Sequence, residues 1–169
     1  MKTLIKILTV AGTLFLALAG TAFAANEKSD LSPFVQEIKK ANYIMNKKVK
    51  LDADYFLVLC SASWCGPCRA EMPEISRVYR EEIKENPDVE LVLISFDQTE
   101  KAMKTWGKQE KVKFPVTMRG RKENTIFGTE TAFPSGIPHL FIFKADGTLI
   151  TKGHPGTIFK DYKKYTAEK

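Results

Sequence analysis

The chain has 169 residues and a formal net charge of +6, with 26 Lys and Arg against 20 Asp and Glu. That length suits one domain behind a leader, and such a domain buries roughly 70% of its unfolded surface, so its three cysteines need not be structural staples. The lysines are spread among acids without interleaved aromatics, which predicts a solvated, mildly basic surface and no nucleic-acid groove.

Lys2 and Lys6 precede an apolar run, Ile7 to Ala19, and Ala22-Phe23-Ala24 follows with small residues at signal-peptidase spacing. This layout predicts an export signal over 1–24 cleaved after Ala24, leaving a domain over 25–169 with no stable membrane insertion. A retained anchor is the alternative, because Ile7 to Ala25 approaches the ~20 residues of a membrane span. Thr, Gly and Ala dilute the run, and no cysteine follows it to carry a lipid. Ser32-Pro33 then marks a helix start, and Phe34, Val35, Ile38 and Ala41 extend it to about residue 45, giving a helical extension over about 31–46. Residues 47–54 read as a connection or short edge strand. Tyr55 to Ser61 (Y-F-L-V-L-C-S) is a continuous apolar run, the pattern of a strand covered on both faces.

Ile75, Val78, Tyr79 and Ile83 recur at helical spacing until Asn86-Pro87. Val89 to Phe96 is a second buried strand, Thr99 to Lys111 a helix, and Val112 to Met118 a short strand that Pro115 weakens. A helical turn is expected around Asn124 to Phe127, within a loop that runs to Gly136. His139 to Phe143 and Thr148 to Lys152 form a hairpin across Ala145-Asp146-Gly147, and Phe159, Tyr162 and Tyr165 predict a closing helix. Strands alternating with helices, then a hairpin and helix, predict an α/β fold with a central mixed sheet flanked by helices on both faces.

The stretch Trp64-Cys65-Gly66-Pro67-Cys68 lies between the first buried strand and its helix. Cys65 falls at the helix N-terminus, where free N–H groups and the positive end of the dipole favour a thiolate. Cys68 is one turn on, within disulfide reach, so one cysteine attacks and the other resolves. Gly66 allows close approach of a partner backbone, Pro67 suits a first helical turn, and Trp64 offers an apolar shoulder. Zinc would need a second ligand pair, which His139 and His154 do not supply. A haem site needs histidine where Arg69 stands. A structural disulfide across so short a loop adds little. Ser135-Gly136-Ile137-Pro138 leads into the strand at His139, and a cis bond after Ile137 would turn the loop sideways. Cys60, inside the first buried strand, reads as a small buried thiol.

These residues resemble the thioredoxin superfamily over about 50–167. Trp64 to Cys68 matches its active-site pentapeptide, Pro73 its helix-kinking proline, and Gly136-Ile137-Pro138 its cis-proline loop. The stretch Ser61 to Arg69 is similar to tryparedoxin and nucleoredoxin sequences. The leader and Cys68 to Pro73 resemble exported TlpA/ResA-like thiol–disulfide oxidoreductases, in which a glutamate at the place of Glu71 tunes the site. One departure stands out: Leu59 and Leu93 occupy the places of the buried aspartate and its lysine partner in thioredoxins. The resemblance implies a thioredoxin-like fold and a periplasmic protein-disulfide reductase. Cys65 and Cys68 would be catalytic, and Trp64, Ile137 and Pro138 would form the docking surface. It also implies disulfide-containing protein substrates, a membrane thiol donor, a monomer, and neither cofactor nor metal. An oxidase or isomerase, and a thiol-based module for a soft metal such as Cu(I), are the competing readings.

Overall fold

The computed structural model describes residues 31–120, 126–129 and 134–167. The leader lies outside them, as does the Asn124 end of the expected helical turn. Ile126 and Thr129 close a small bridged turn, with the Thr129 N–H donating to the Ile126 carbonyl.

Among the described residues six strands make the sheet: β1 (Tyr43–Met45), β2 (Tyr55–Ser61), β3 (Val89–Ser95), β4 (Val116–Met118), β5 (His139–Lys144) and β6 (Leu149–Gly153). Their spatial order is β1-β4-β3-β2-β5-β6. The β2–β3 and β3–β4 pairs are parallel, and the other three pairs are antiparallel. Every residue of β2 and β3 is buried, as continuous apolar runs in the middle of a covered sheet require.

Side chains alternate across these strands, so each strand feeds two cores. Leu57 and Leu59 join Leu91, Leu93, Leu140 and Ile142 on one face; Phe56, Val58 and Cys60 join Val92, Ile94, Phe141 and Phe143 on the other. Helices α2 (Gly66–Val78) and α3 (Glu100–Gln109) cover the first face with the short C-terminal helices α4 (Pro155–Ile158) and α5 (Tyr162–Tyr165). Helix α1 (Pro33–Lys40) covers the second, setting Phe34 edge-on to Phe56 at 5.7 Å and against Phe143 at 4.9 Å. Among the described residues no helix is long and apolar enough to cross a membrane.

Three elements differ from the sequence expectation. The first helix ends at Lys40, and Tyr43–Met45 pairs with β4 instead of completing it. The open edge of β4 offers backbone partners to this β-favouring stretch, and the Tyr43 hydroxyl donates to the Ile38 carbonyl at 2.8 Å, fixing the reversal. Asn46 then takes a left-handed φ of 46°, and its amide donates to the Val112 and Phe114 carbonyls. Strand β4 begins only after Pro115, whose carbonyl accepts from Leu93 N–H. The closing helix is broken into α4, a 3₁₀ turn over Phe159–Asp161, and α5.

Candidate active site

Strand β2 delivers the chain to the top of the sheet at Ser61, and helix α2 carries it away from Gly66. Cys65 is the N-cap of α2 and Cys68 lies in its first turn, with Cα atoms 5.2 Å apart and the two sulfurs bonded. The Cys68 N–H donates to the Cys65 sulfur at 3.3 Å, so one of the helix's free amides already points at it. Cys65 keeps 6% exposure against 1% for Cys68, so Cys65 is the more accessible of the two sulfurs. Pro67 sits where a missing N–H costs nothing. Helix α2 runs on through Pro73, which is exposed.

The peptide bond between Ile137 and Pro138 is cis. The Ile137 carbonyl oxygen lies 3.5 Å from the Cys65 sulfur, so this loop and the start of α2 face each other. Trp64 is 65% exposed beside them, its indole N–H donating to the Phe96 carbonyl at 3.3 Å. A Cβ added at Gly66 would meet nothing within 4 Å, so the backbone there is open to solvent. Trp64 and Gly66 flank the pair in sequence, and Ile137 meets it through its carbonyl. The groups beneath it are aliphatic: Leu59 and Leu93 are fully buried and lie in register on β2 and β3.

Glu71 sits elsewhere in the site. Its carboxylate turns toward α4, 4.0 Å from Nδ1 of His154 and against Gly156, where an added Cβ would stand 2.7 Å from Oε1. His154 itself caps α4 by accepting from the Gly156 N–H through Nδ1. Cys60 lies in the opposite core, where burial pushes its thiol up to about 12. His139 follows Pro138 directly, and its ring packs on Phe141 at 4.6 Å. Burial, with Lys152 and His154 nearby, moves its pKa down, which favours the neutral ring.

Sequence reasoning missed a second layer of the site. Asp97, just past β3 and 7% exposed, accepts from the Ser63 N–H on both carboxylate oxygens, at 3.2 Å each. The Ser63 hydroxyl donates to the same carboxylate at 2.5 Å and the Ser95 hydroxyl at 2.9 Å. The Phe96 N–H also donates to the Ser61 carbonyl. The available signal was positional: Ser61-Ala62-Ser63 and Ser95-Phe96-Asp97 both leave the carboxyl ends of adjacent parallel strands, where loops of α/β sheets converge.

Residues 52–149 match the thioredoxin-like family. The thiol-disulfide oxidoreductase ResA of Bacillus cereus is 37% identical over 90 residues, which are 53% of this chain and 49% of that protein. Nucleoredoxin of Xenopus laevis is 27% identical over 114 residues, 66% of this chain and 26% of that one. The chain therefore spans at most about half the length of these curated relatives. A thiol-disulfide oxidoreductase from Bacteroides fragilis superposes with a TM-score of 0.54 at 19% identity, over 68% of this chain and 83% of that one, a likeness of fold.

Proposed function

Since the chain belongs to the thioredoxin-like family, we propose that it is a thiol–disulfide oxidoreductase that reduces disulfides of partner proteins through Cys65 and Cys68. The observation that carries this reading is the Cys65 sulfur at the N-cap of α2, bonded to Cys68 and facing the Ile137 carbonyl.

In the reduced protein the Cys65 thiolate accepts the Cys68 N–H and faces the positive end of the α2 dipole. It attacks one sulfur of the partner's disulfide; that bond breaks and the other partner sulfur leaves as a thiolate, taking a proton from solvent. Cys68, deprotonated, then attacks the Cys65 sulfur, and the mixed disulfide gives up the second partner thiolate. Two electrons have passed to the partner, and Cys65–Cys68 is a disulfide. Trp64, Ile137 and Pro138 dock the partner. Leu59 and Leu93 offer no proton acceptor, so the Cys68 proton leaves through water or through Glu71. No cofactor or metal takes part.

Gly-Pro between the cysteines favours the reducing direction, as in thioredoxin at about −270 mV, against about −120 mV for the oxidase DsbA. The protein acts outside the cytoplasm after cleavage behind Ala24, as a monomer, and a membrane thiol donor recharges it. Insulin reduction tests the reaction: activity in the wild type and none in Cys65→Ser is expected, and equal rates in both would end this reading. Equilibration in glutathione buffers tests the direction, where a potential near the oxidase value would reverse it. The mass of the secreted chain tests the cleavage site.

A further inference from the structure

The turn that presents Trp64 and Cys65 is tied to the segment beyond β3. Between the end of β2 and the start of α2 the chain has only Ala62, Ser63 and Trp64 before the cap at Cys65. Such a connection has few bonds of its own: the Cys65 N–H donates to the Ala62 carbonyl at 3.2 Å. The polar contacts of Ser63 and Trp64 run to the segment beyond β3. The Trp64 indole bonds Phe96, and Ser63 bonds Asp97 through both its N–H and its hydroxyl.

Asp97 is well formed for that task. A carboxylate is an acceptor only, and three donors converge on this one: the Ser63 amide, the Ser63 hydroxyl and the Ser95 hydroxyl. Bonds to a charged acceptor are about twice as strong as neutral ones. The Asp97 N–H donates back to Ser95 Oγ at 3.1 Å, which locks the carboxylate's own loop. We propose that Asp97 is a positioning residue for the exchange reaction: it clamps Ser63 so that Trp64 and Cys65 stand ready-formed as the docking face for a protein disulfide. The chemistry stays with the sulfurs, and Asp97 acts through Ser63. The consequence is selective. A folded protein partner must lie across Trp64 and the Ile137–Pro138 loop together, whereas a small disulfide has only to reach the Cys65 sulfur.

This inference rests on the exchange reading above, and the experiment separates the two. Full-length wild type, Asp97→Ala, Asp97→Asn and Ser63→Ala are compared on insulin and on a small aromatic disulfide, with thermal melts for each. The expected result for Asp97→Ala is a KM for insulin raised about ten-fold with kcat within about two-fold, and a smaller loss, about two-fold, on the small disulfide. Asp97→Asn, which keeps one acceptor oxygen, falls between Asp97→Ala and wild type. Ser63→Ala, which keeps the amide bond, moves KM in the same direction by less. A purely structural role would lower the melting temperature and leave KM unmoved. Active wild type with an unshifted insulin KM in both Asp97→Ala and Ser63→Ala overturns the role of Asp97 alone. Equal losses on both substrates overturn it too. Wild type inert on both substrates overturns the exchange reading and this inference with it.

Discussion

Cys65 and Cys68 are three residues apart yet live in different surroundings, because one caps α2 and the other turns into the core. That asymmetry was readable in the sequence, since a strand, two cysteines and a helix start are all local features. The Ser63–Asp97 clamp was not, because it joins residues 34 apart that meet only when β2 and β3 pair in parallel. The placing of Glu71 against His154 was equally hidden, since it depends on where α4 docks. We propose that Glu71 tunes the pair from there through its charge. Removing a negative charge favours the Cys65 thiolate and so the reduced form. Glu71→Gln is therefore expected to raise the potential, by about 30 mV or less, read in glutathione buffers; a lower potential would contradict it. Cys60 should resist alkylation at pH 8 in the folded protein and react on unfolding, which labelling followed by mass spectrometry would show. Its thiol is fully buried and held protonated by that burial.

Helix α1 shows what local signals carry and where they stop. Its beginning was legible: the Ser32 hydroxyl accepts from the Val35 N–H at 3.2 Å, as a cap should, and also donates to the Ala145 carbonyl. Ser32→Ala loses both bonds and should cost about 1–2 kcal/mol in urea unfolding; no change would mean the cap is idle. The end of α1 was not legible, because helical spacing continues past Lys40 while Tyr43–Met45 is claimed by the edge of β4. Lys50 poses a similar case. It stands in the charged stretch that reads as a connection or short edge strand, yet its ammonium donates to the carbonyls of Ile83, Asn86 and Val89. Its backbone N–H holds the buried Glu90 carboxylate at 2.8 Å. Lys50→Met strips the three carbonyls of their donor and is expected to destabilise by about 2 kcal/mol.

The molecule as a whole is a sheet with two cores, and its pH response follows from what those cores enclose. The buried Cys60 thiol is raised from its ordinary 9.0 to about 12 by burial, against a smaller opposing pull from Arg119. Unfolding frees it to lose its proton. Its contribution is thus fully present below about pH 9 and fades as pH rises toward 12, at roughly 1.4 kcal/mol per pH unit. Tyr162 adds to the same trend, raised to about 12 by burial and by Glu82. Unfolding free energies of wild type and Cys60→Ala between pH 8 and 11 check this; the variant's decline should be shallower, and parallel curves would contradict it. The mixed sheet was legible because β2 and β3 are largely apolar, with Glu90 the one charged residue in the two strands, a pattern that suits a doubly covered sheet. The broken C-terminal helix was not, because the docking of Phe159 and Tyr162 against the first core decides it.

The most direct test joins the site to its partner. Reduced Cys68→Ser protein is mixed with insulin and the products are weighed under acid quench. A covalent adduct through Cys65 that the wild type does not accumulate, and that Cys65→Ser cannot form, is the expected result. An adduct carried by Ser-substituted Cys65 protein through Cys68, or no adduct from either variant, would contradict the claim that Cys65 attacks and Cys68 resolves.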